Sequence, residues 1–569
     1  MGGQRIDTAM AVLCALAPAC LAASHIANVP DAAHDTAVVR VLALAEQPWR
    51  ALDVGIDGLL TMLPLGTRAA RAALGGVLVT AAAGVALYTV IRRLLAECAE
   101  TRRLGPLVAA LATALPLVGA PWQIEASSVG GSVTGALLAL LPLAFAARDG
   151  SSSLLSPHSP TPAAFALGLA TGYEPLVGFC AACGYFTFVL TNNLLHDTSR
   201  GALARAGALV PSFVLGLAPF AVALGRTRGS GVSVAAALAV AWSGERGASH
   251  AGSPLPFVRL DVGLVLVSLA LVGTALAMFV GRARPLASAL AALAIGGFGA
   301  GWLGAPVGPT RFGAPLLAGL AAVAGLAAVA MQATVRAVAR AHVPMARTSA
   351  SMILLLEVVM PVDRADDAIA RTARRRSSAA ADWSDATWGA LPPHTAVLLP
   401  DPRLYERARA DEACDALRPD LALIPAYPHA ATAWRNLAAD ESLVPLRRDL
   451  QLSDAPGEES LSSLAVHRAV AVAFASQWGR PLARHLVPLS LLDRFEPEPR
   501  GASDRRRALD GVAPAFERLT RAVAGDPELV MAAGWLLRAR ESGMALDGDK
   551  DVLARAQADV EALDPAPRR

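Results

Sequence analysis

Ten apolar stretches of membrane-spanning length follow one another at 8–28, 71–91, 105–120, 129–147, 162–177, 179–195, 204–224, 262–281, 286–304 and 314–332. About 20 apolar residues in a helix cross a hydrocarbon layer, and a helix satisfies every backbone N–H and C=O without water. A shorter run at 350–362 makes an eleventh, so the sequence predicts a mostly α polytopic membrane protein of about eleven transmembrane helices. Composition agrees: 54% of the 569 residues are hydrophobic and only 5% are aromatic, far too apolar for a soluble chain of this length.

Charge adds orientation rather than a partner. The formal net charge of +3 gives no case for nucleic acid, and Lys550 is the single lysine. Arginines gather at Arg92, Arg93, Arg102 and Arg103, at Arg148, at Arg200 and Arg205, at Arg282 and Arg284, and at Arg336, Arg340 and Arg347, in every second loop. The positive-inside bias makes those loops and the N-terminus cytoplasmic. The loop at 28–50, the stretch at 121–128, the turn at 171–175, the loops at 225–261 and 305–313, and everything beyond 362 are then expected outside. Two short apolar pieces, 58–66 and 232–242, are too short to span and are read as lying on the surface.

Beyond 362 the sequence turns charged and Pro-punctuated. A basic helix is expected at 363–381, a strand at 391–400, a helix at 405–417 and a strand at 418–425, followed by a helical pair at 513–524 and 527–542. The organisation read from this is a membrane domain at 1–362, an extracytoplasmic α/β domain at 363–500 and a helical segment at 501–569. The six cysteines include Cys180-Ala-Ala-Cys183, but no second pair or histidine follows at ligand spacing, so these read as small buried hydrophobes. No phosphate-binding Gly-rich loop with its lysine, no histidine cluster and no nucleophile elbow occurs, which disfavours pumps, zinc proteases and hydrolases.

A family pattern runs through these segments. The early Asp35, the surface segment ending in Leu63-Pro-Leu-Gly-Thr-Arg68, and the second span closing in Leu87-Tyr-Thr-Val-Ile-Arg-Arg-Leu-Leu95 are joined by Ala120-Pro-Trp-Gln123, Ala164-Phe-Ala-Leu-Gly-Leu-Ala-Thr-Gly172, Pro361-Val-Asp-Arg364, Leu391-Pro-Pro393 and Arg418-Pro-Asp420. Together they resemble the bacterial protein O-mannosyltransferase-like family of the GT-C superfamily over about two-thirds of the chain. Three departures stand out. Ala37 and Val38 replace the small and acidic residues expected after Asp35-Thr36, the His-Pro-Pro-Gly stretch is missing, and Glu125 is the nearest counterpart to an expected Glu-Val-Tyr motif.

The resemblance implies a membrane glycosyltransferase that moves a sugar from a polyprenyl-phosphate donor to a protein or glycan hydroxyl outside the cell, with no cofactor named. Such a transfer needs a base at the acceptor hydroxyl and donors or cations on the departing phosphate. The resemblance gives the base to Asp35, with Asp31 and His34 beside it; as bland alternatives, these acids solvate the loop or cap a helix. Arg40, Arg226, Arg228, Arg259 and Arg311 lie in predicted outside loops and have the planar fork that suits phosphate, although interfacial arginine is the commoner role. Glu125 and Glu174 complete the substrate-facing set, Glu174 reading equally as a loop residue between two spans. Two competing readings are a non-catalytic scaffold with a partner-binding outer domain, and a transporter.

Overall fold

Among the described residues a helix underlies each apolar run from 8–28 to 350–362. The computed structural model describes residues 2–28, 34, 37–39, 49–98, 104–148, 160–196, 202–229, 235, 257–303, 311–340, 344–373, 379–415, 417–427, 440–453, 455–523, 527–547 and 550–563. The chain divides into two compact units, one of Met1–Ala27 with Arg40–Ala373 and the other of Asn28–Val39 with Arg374–Arg569.

In the first unit five helices are long and apolar enough to cross a membrane: Arg5–Ser24, Arg68–Cys98, Pro175–Asn192, Arg284–Trp302 and Ala314–Val338. The number rises to seven if each of two bent pairs is one span, and two shorter apolar helices, Val133–Ala147 and Leu264–Met278, accompany them. This is the form in which the expectation of about eleven spans meets the described residues. One difference has a plain cause. The expected span at 105–120 is a helix, Gly105–Leu117, followed after a 67° bend by Ala120–Ala126. Gly119 is extended there, and Pro121 supplies no N–H to continue the first helix.

Of the span Ala314–Val338, residues 314–332 are buried without interruption. The helix it belongs to packs against Gly105–Leu117, Val133–Arg148, Leu264–Met278, Arg284–Trp302 and Pro344–Ala373. Small residues allow the close approach: a Cβ on Gly297 would come within 2.4 Å of the Pro315 carbonyl, and one on Gly84 within 2.0 Å of the Cys14 carbonyl. The run at 350–362 sits inside a single helix, Pro344–Ala373, which continues through the expected domain boundary at 362.

The second unit carries a five-stranded sheet of order β2-β1-β3-β5-β4, with β1 Ala396–Leu399, β2 Ala422–Pro425, β3 Val470–Val472, β4 Leu486–Pro488 and β5 Asp493–Phe495. The first three strands are parallel, and β5 and β4 add antiparallel. Alternate side chains feed two cores. Val397, Leu399 and Ala471 face Leu404, Leu519, Leu536 and other helical residues, while Ala396, Leu398 and Val472 face Leu446, Leu461 and Leu464. Leu519 and Leu536 belong to the helices Ala502–Val523 and Pro527–Asp547, so the 501–569 segment shares a core with the sheet. The helix after β1 begins where Pro400-Asp401-Pro402 says it must: Asp401 caps it by accepting from the Arg403 N–H at 2.9 Å, and Pro402 occupies the first turn.

Candidate functional site

Two polar assemblies are built within the membrane unit. The first surrounds Ala51–Leu60, a short helix that turns its polarity inside out. Its carboxylates Asp53 and Asp57 are buried, whereas Leu59 and, in the turn beyond, Met62 and Leu65 are 59–80% exposed. A helix facing lipid on one side and a polar interior on the other has this pattern, opposite to that of a helix on a water-soluble core. Burial, and after it the charge of Asp53, pushes the Asp57 carboxyl well above the usual carboxylate range.

The helix is held at its start by Arg50, a buried arginine in the left-handed region at φ 57°. Its Nη1 donates to the Gly130 carbonyl at 2.9 Å, its Nη2 lies 3.6 Å from Glu174 Oε2, and its guanidinium sits 5.6 Å from the Tyr173 ring centroid. The Arg50 N–H donates to the Tyr173 carbonyl at 3.0 Å, and the Tyr173 hydroxyl donates to Asp53 at 2.6 Å. A backbone outlier of this kind persists only where its surroundings over-determine it, and here four contacts hold Arg50.

The second assembly is a cavity of about 740 Å³. Three segments form it: the bend at Gly119, Ala120 and Pro121; the turn and helix start from Arg259 to Leu266; and the face of Pro344–Ala373 bearing Met360, Asp363, Arg364, Asp367 and Arg371. Four of its six charged residues are tied to one another. Arg364 donates to the carbonyls of Asp261, at 3.0 Å, and Val262, Arg371 Nη1 to the Asp261 carboxylate at 2.7 Å, and Arg371 Nε to Asp367 at 3.0 Å. These bonds fasten the π-helical turn Val258–Val262, and with it Arg259, to the last helix of the unit. Burial raises the Asp261 carboxyl above its ordinary value, and Arg371 opposes the shift.

The sequence-derived residues distribute as follows. Arg259 lines the cavity and is exposed. Glu174 sits between the helices Pro160–Tyr173 and Pro175–His196, paired with Arg50. Glu125 is fully buried and gathers backbone, its two oxygens accepting from the N–H groups of Phe312 at 2.6 Å and Ser132 at 2.8 Å. Arg311, next to Phe312, is buried, and Arg226 is exposed near the end of Ala218–Gly229. The helix also carries Arg228, whose side chain lies outside the description, as do Asp31, Asp35 and Arg40 entirely and all but one residue of the 232–242 piece. His34 is buried and belongs to the second unit. Trp122 is buried and donates to Thr80 at 3.1 Å, while Trp302 is exposed.

Sequence reasoning gave no role to Arg50, Asp53, Tyr173, Asp261, Asp363, Arg364, Asp367 or Arg371. The one available signal was Pro361-Val-Asp-Arg364, quoted for its pattern and assigned no task. Among the described residues no group of three His, Cys, Asp or Glu is arranged to hold a metal ion.

No protein-family model matches this chain, and no curated protein matches it in sequence. Solved structures do. The chain is similar to ArnT from Cupriavidus metallidurans, solved bound to undecaprenyl phosphate, with a TM-score of 0.52 at 14% identity over 83% of this chain and 93% of that one. It also aligns with arabinofuranosyltransferase AftD from Mycobacteria at a TM-score of 0.36 and 14% identity, over 88% of this chain and 37% of that one. What the chain shares with ArnT is a polytopic helical membrane architecture.

Proposed function

We propose that this protein is a membrane glycosyltransferase that transfers a sugar from a polyprenyl-phosphate donor to a protein or glycan hydroxyl on the extracytoplasmic face of a bacterial inner membrane. The observation that carries the reading is the coincidence of a fold shared with ArnT, a protein seen with undecaprenyl phosphate, and an arginine-bearing cavity of about 740 Å³ inside the membrane unit. In the sequence reading, all three cavity segments border stretches expected on the outer side.

In this reading the donor phosphate sits against Arg259, whose fork matches a phosphate oxyanion and offsets the charge that grows as the sugar departs. The sequence-based assignment gives the acceptor proton to Asp35. Arg364, Arg371 and Asp261 position the turn that presents Arg259. Glu125 supports it from behind by fixing Phe312, which packs 5.5 Å from Phe257 at the head of that turn.

The test is binding of undecaprenyl phosphate to the full chain in lipid nanodiscs. Arg259→Gln is expected to weaken affinity about tenfold, as loss of one charge-assisted contact predicts, while the exposed Arg226→Gln leaves it unchanged. Equal affinity for all three proteins, or none for the wild type, sinks the assignment.

A further inference from the structure

Among the six charged residues that line the cavity, Arg364, Arg371, Asp261 and Asp367 are engaged with one another or with backbone carbonyls. Two remain. Arg259 and Asp363 are both exposed on the cavity wall, and among the described residues neither makes a hydrogen bond or an ion pair. The guanidinium next to Asp363 in sequence, Arg364, already spends its donors on the carbonyls of Asp261 and Val262. The cavity therefore offers one uncommitted cation and one uncommitted carboxylate, contributed by different segments of the fold.

That pair is what glycosyl transfer asks of a site: a cation on the phosphate that leaves and an acceptor for the hydroxyl proton. We infer that Asp363 is the catalytic base of this cavity, taking the proton of the acceptor hydroxyl in the role that sequence alone gives to Asp35. The inference rests on the proposed function. In the step it describes, the acceptor oxygen forms a bond to the anomeric carbon and the bond from that carbon to the phosphate oxygen breaks. The hydroxyl proton passes to the Asp363 carboxylate, and the electron pair leaves with the polyprenyl phosphate, which Arg259 holds.

Asp367, one helical turn along the same face, is the natural rival, but Arg371 already occupies it. Asp261 is excluded by the same argument: it is only 10% exposed and accepts from Arg371 at 2.7 Å. A free carboxylate beside a phosphate site also has a signature apart from turnover, because it repels the anion that Arg259 attracts.

The experiment uses the full chain in nanodiscs, with undecaprenyl phosphate as the binding probe and undecaprenyl-phosphate mannose as the turnover probe. Wild type, Arg259→Gln and Asp363→Asn are compared. Asp363→Asn is expected to bind undecaprenyl phosphate three- to tenfold more tightly than wild type and to release it from the mannosyl donor at least a hundredfold more slowly. Undecaprenyl phosphate binding that weakens in Arg259→Gln but is unchanged in Asp363→Asn overturns the role of Asp363 and leaves the proposed function standing. Tighter binding with undiminished turnover overturns the base assignment as well. A wild type that neither binds undecaprenyl phosphate nor discharges the donor overturns both.

Discussion

The hydroxyl of Tyr173 donates to the Asp53 carboxylate at 2.6 Å across 120 positions of sequence, with both side chains buried. That bond, with Arg50 behind it, ties the short helix Ala51–Leu60 to the junction of the helices Pro160–Tyr173 and Pro175–His196.

Tyr173→Phe removes the only donor in that bond and leaves a buried carboxylate short of a partner. The expected cost is about 1–3 kcal/mol, seen as a lower midpoint in thermal unfolding of the full chain in detergent. A midpoint equal to wild type shows that Asp53 is satisfied without the tyrosine.

Arg50 combines a side-chain role with a backbone one, and the two separate by substitution. Both Arg50→Gly and Arg50→Ala lose the Gly130 carbonyl and Glu174, but only glycine adopts φ 57° freely. Arg50→Ala is therefore expected to be less stable than Arg50→Gly by about 1 kcal/mol. The reverse order in paired melting curves contradicts the strain argument.

Gly273 faces the helix Ala314–Arg340 so closely that a Cβ there would stand 2.0 Å from the Leu326 carbonyl. Since that atom is backbone, Gly273→Ala must displace one helix from the other, at an overpacking cost of about 1–3 kcal/mol. Reduced detergent-extracted yield and a lowered melting midpoint are the expected results. Gly299→Ala, where nothing stands within 4 Å, is the matched control.

In the second unit, Arg418 donates to Asp420 at 2.7 and 3.1 Å, and the His394 N–H donates to it at 2.8 Å. Those donors, Arg418 first, hold the Asp420 carboxyl below the usual carboxylate range. A carboxyl depressed on folding contributes stability above its unfolded value of about 3.9 and loses it as pH falls toward the folded value. Asp420→Asn is expected to lower stability modestly at neutral pH and hardly at all at about pH 2, which flattens the acid limb of a stability profile below about pH 4. Identical acid limbs in tryptophan-fluorescence titrations of the two chains count against the linkage.

How far the sequence reaches is clearest at particular residues. The apolar runs locate the membrane-unit helices because the need to satisfy backbone groups in hydrocarbon is local to each helix. Pro400-Asp401-Pro402 announces a helix start for the same reason: a cap is made within three residues. At 105–120 the local signal sufficed for helix but not for the bend, which a Gly and a Pro decide together.

The amino-acid order by itself determined that this chain is helical, membrane-embedded and followed by an α/β unit, because hydrophobic period and turn chemistry act between near neighbours. Tertiary structure alone decided that Arg50 meets Gly130, that Tyr173 meets Asp53, and that Arg364 and Arg371 are spent on Asp261 while Arg259 and Asp363 stay uncommitted. Partners separated by 80 to 120 positions are chosen by how helices pack, and a charge's role depends on which opposite charge packing brings within reach.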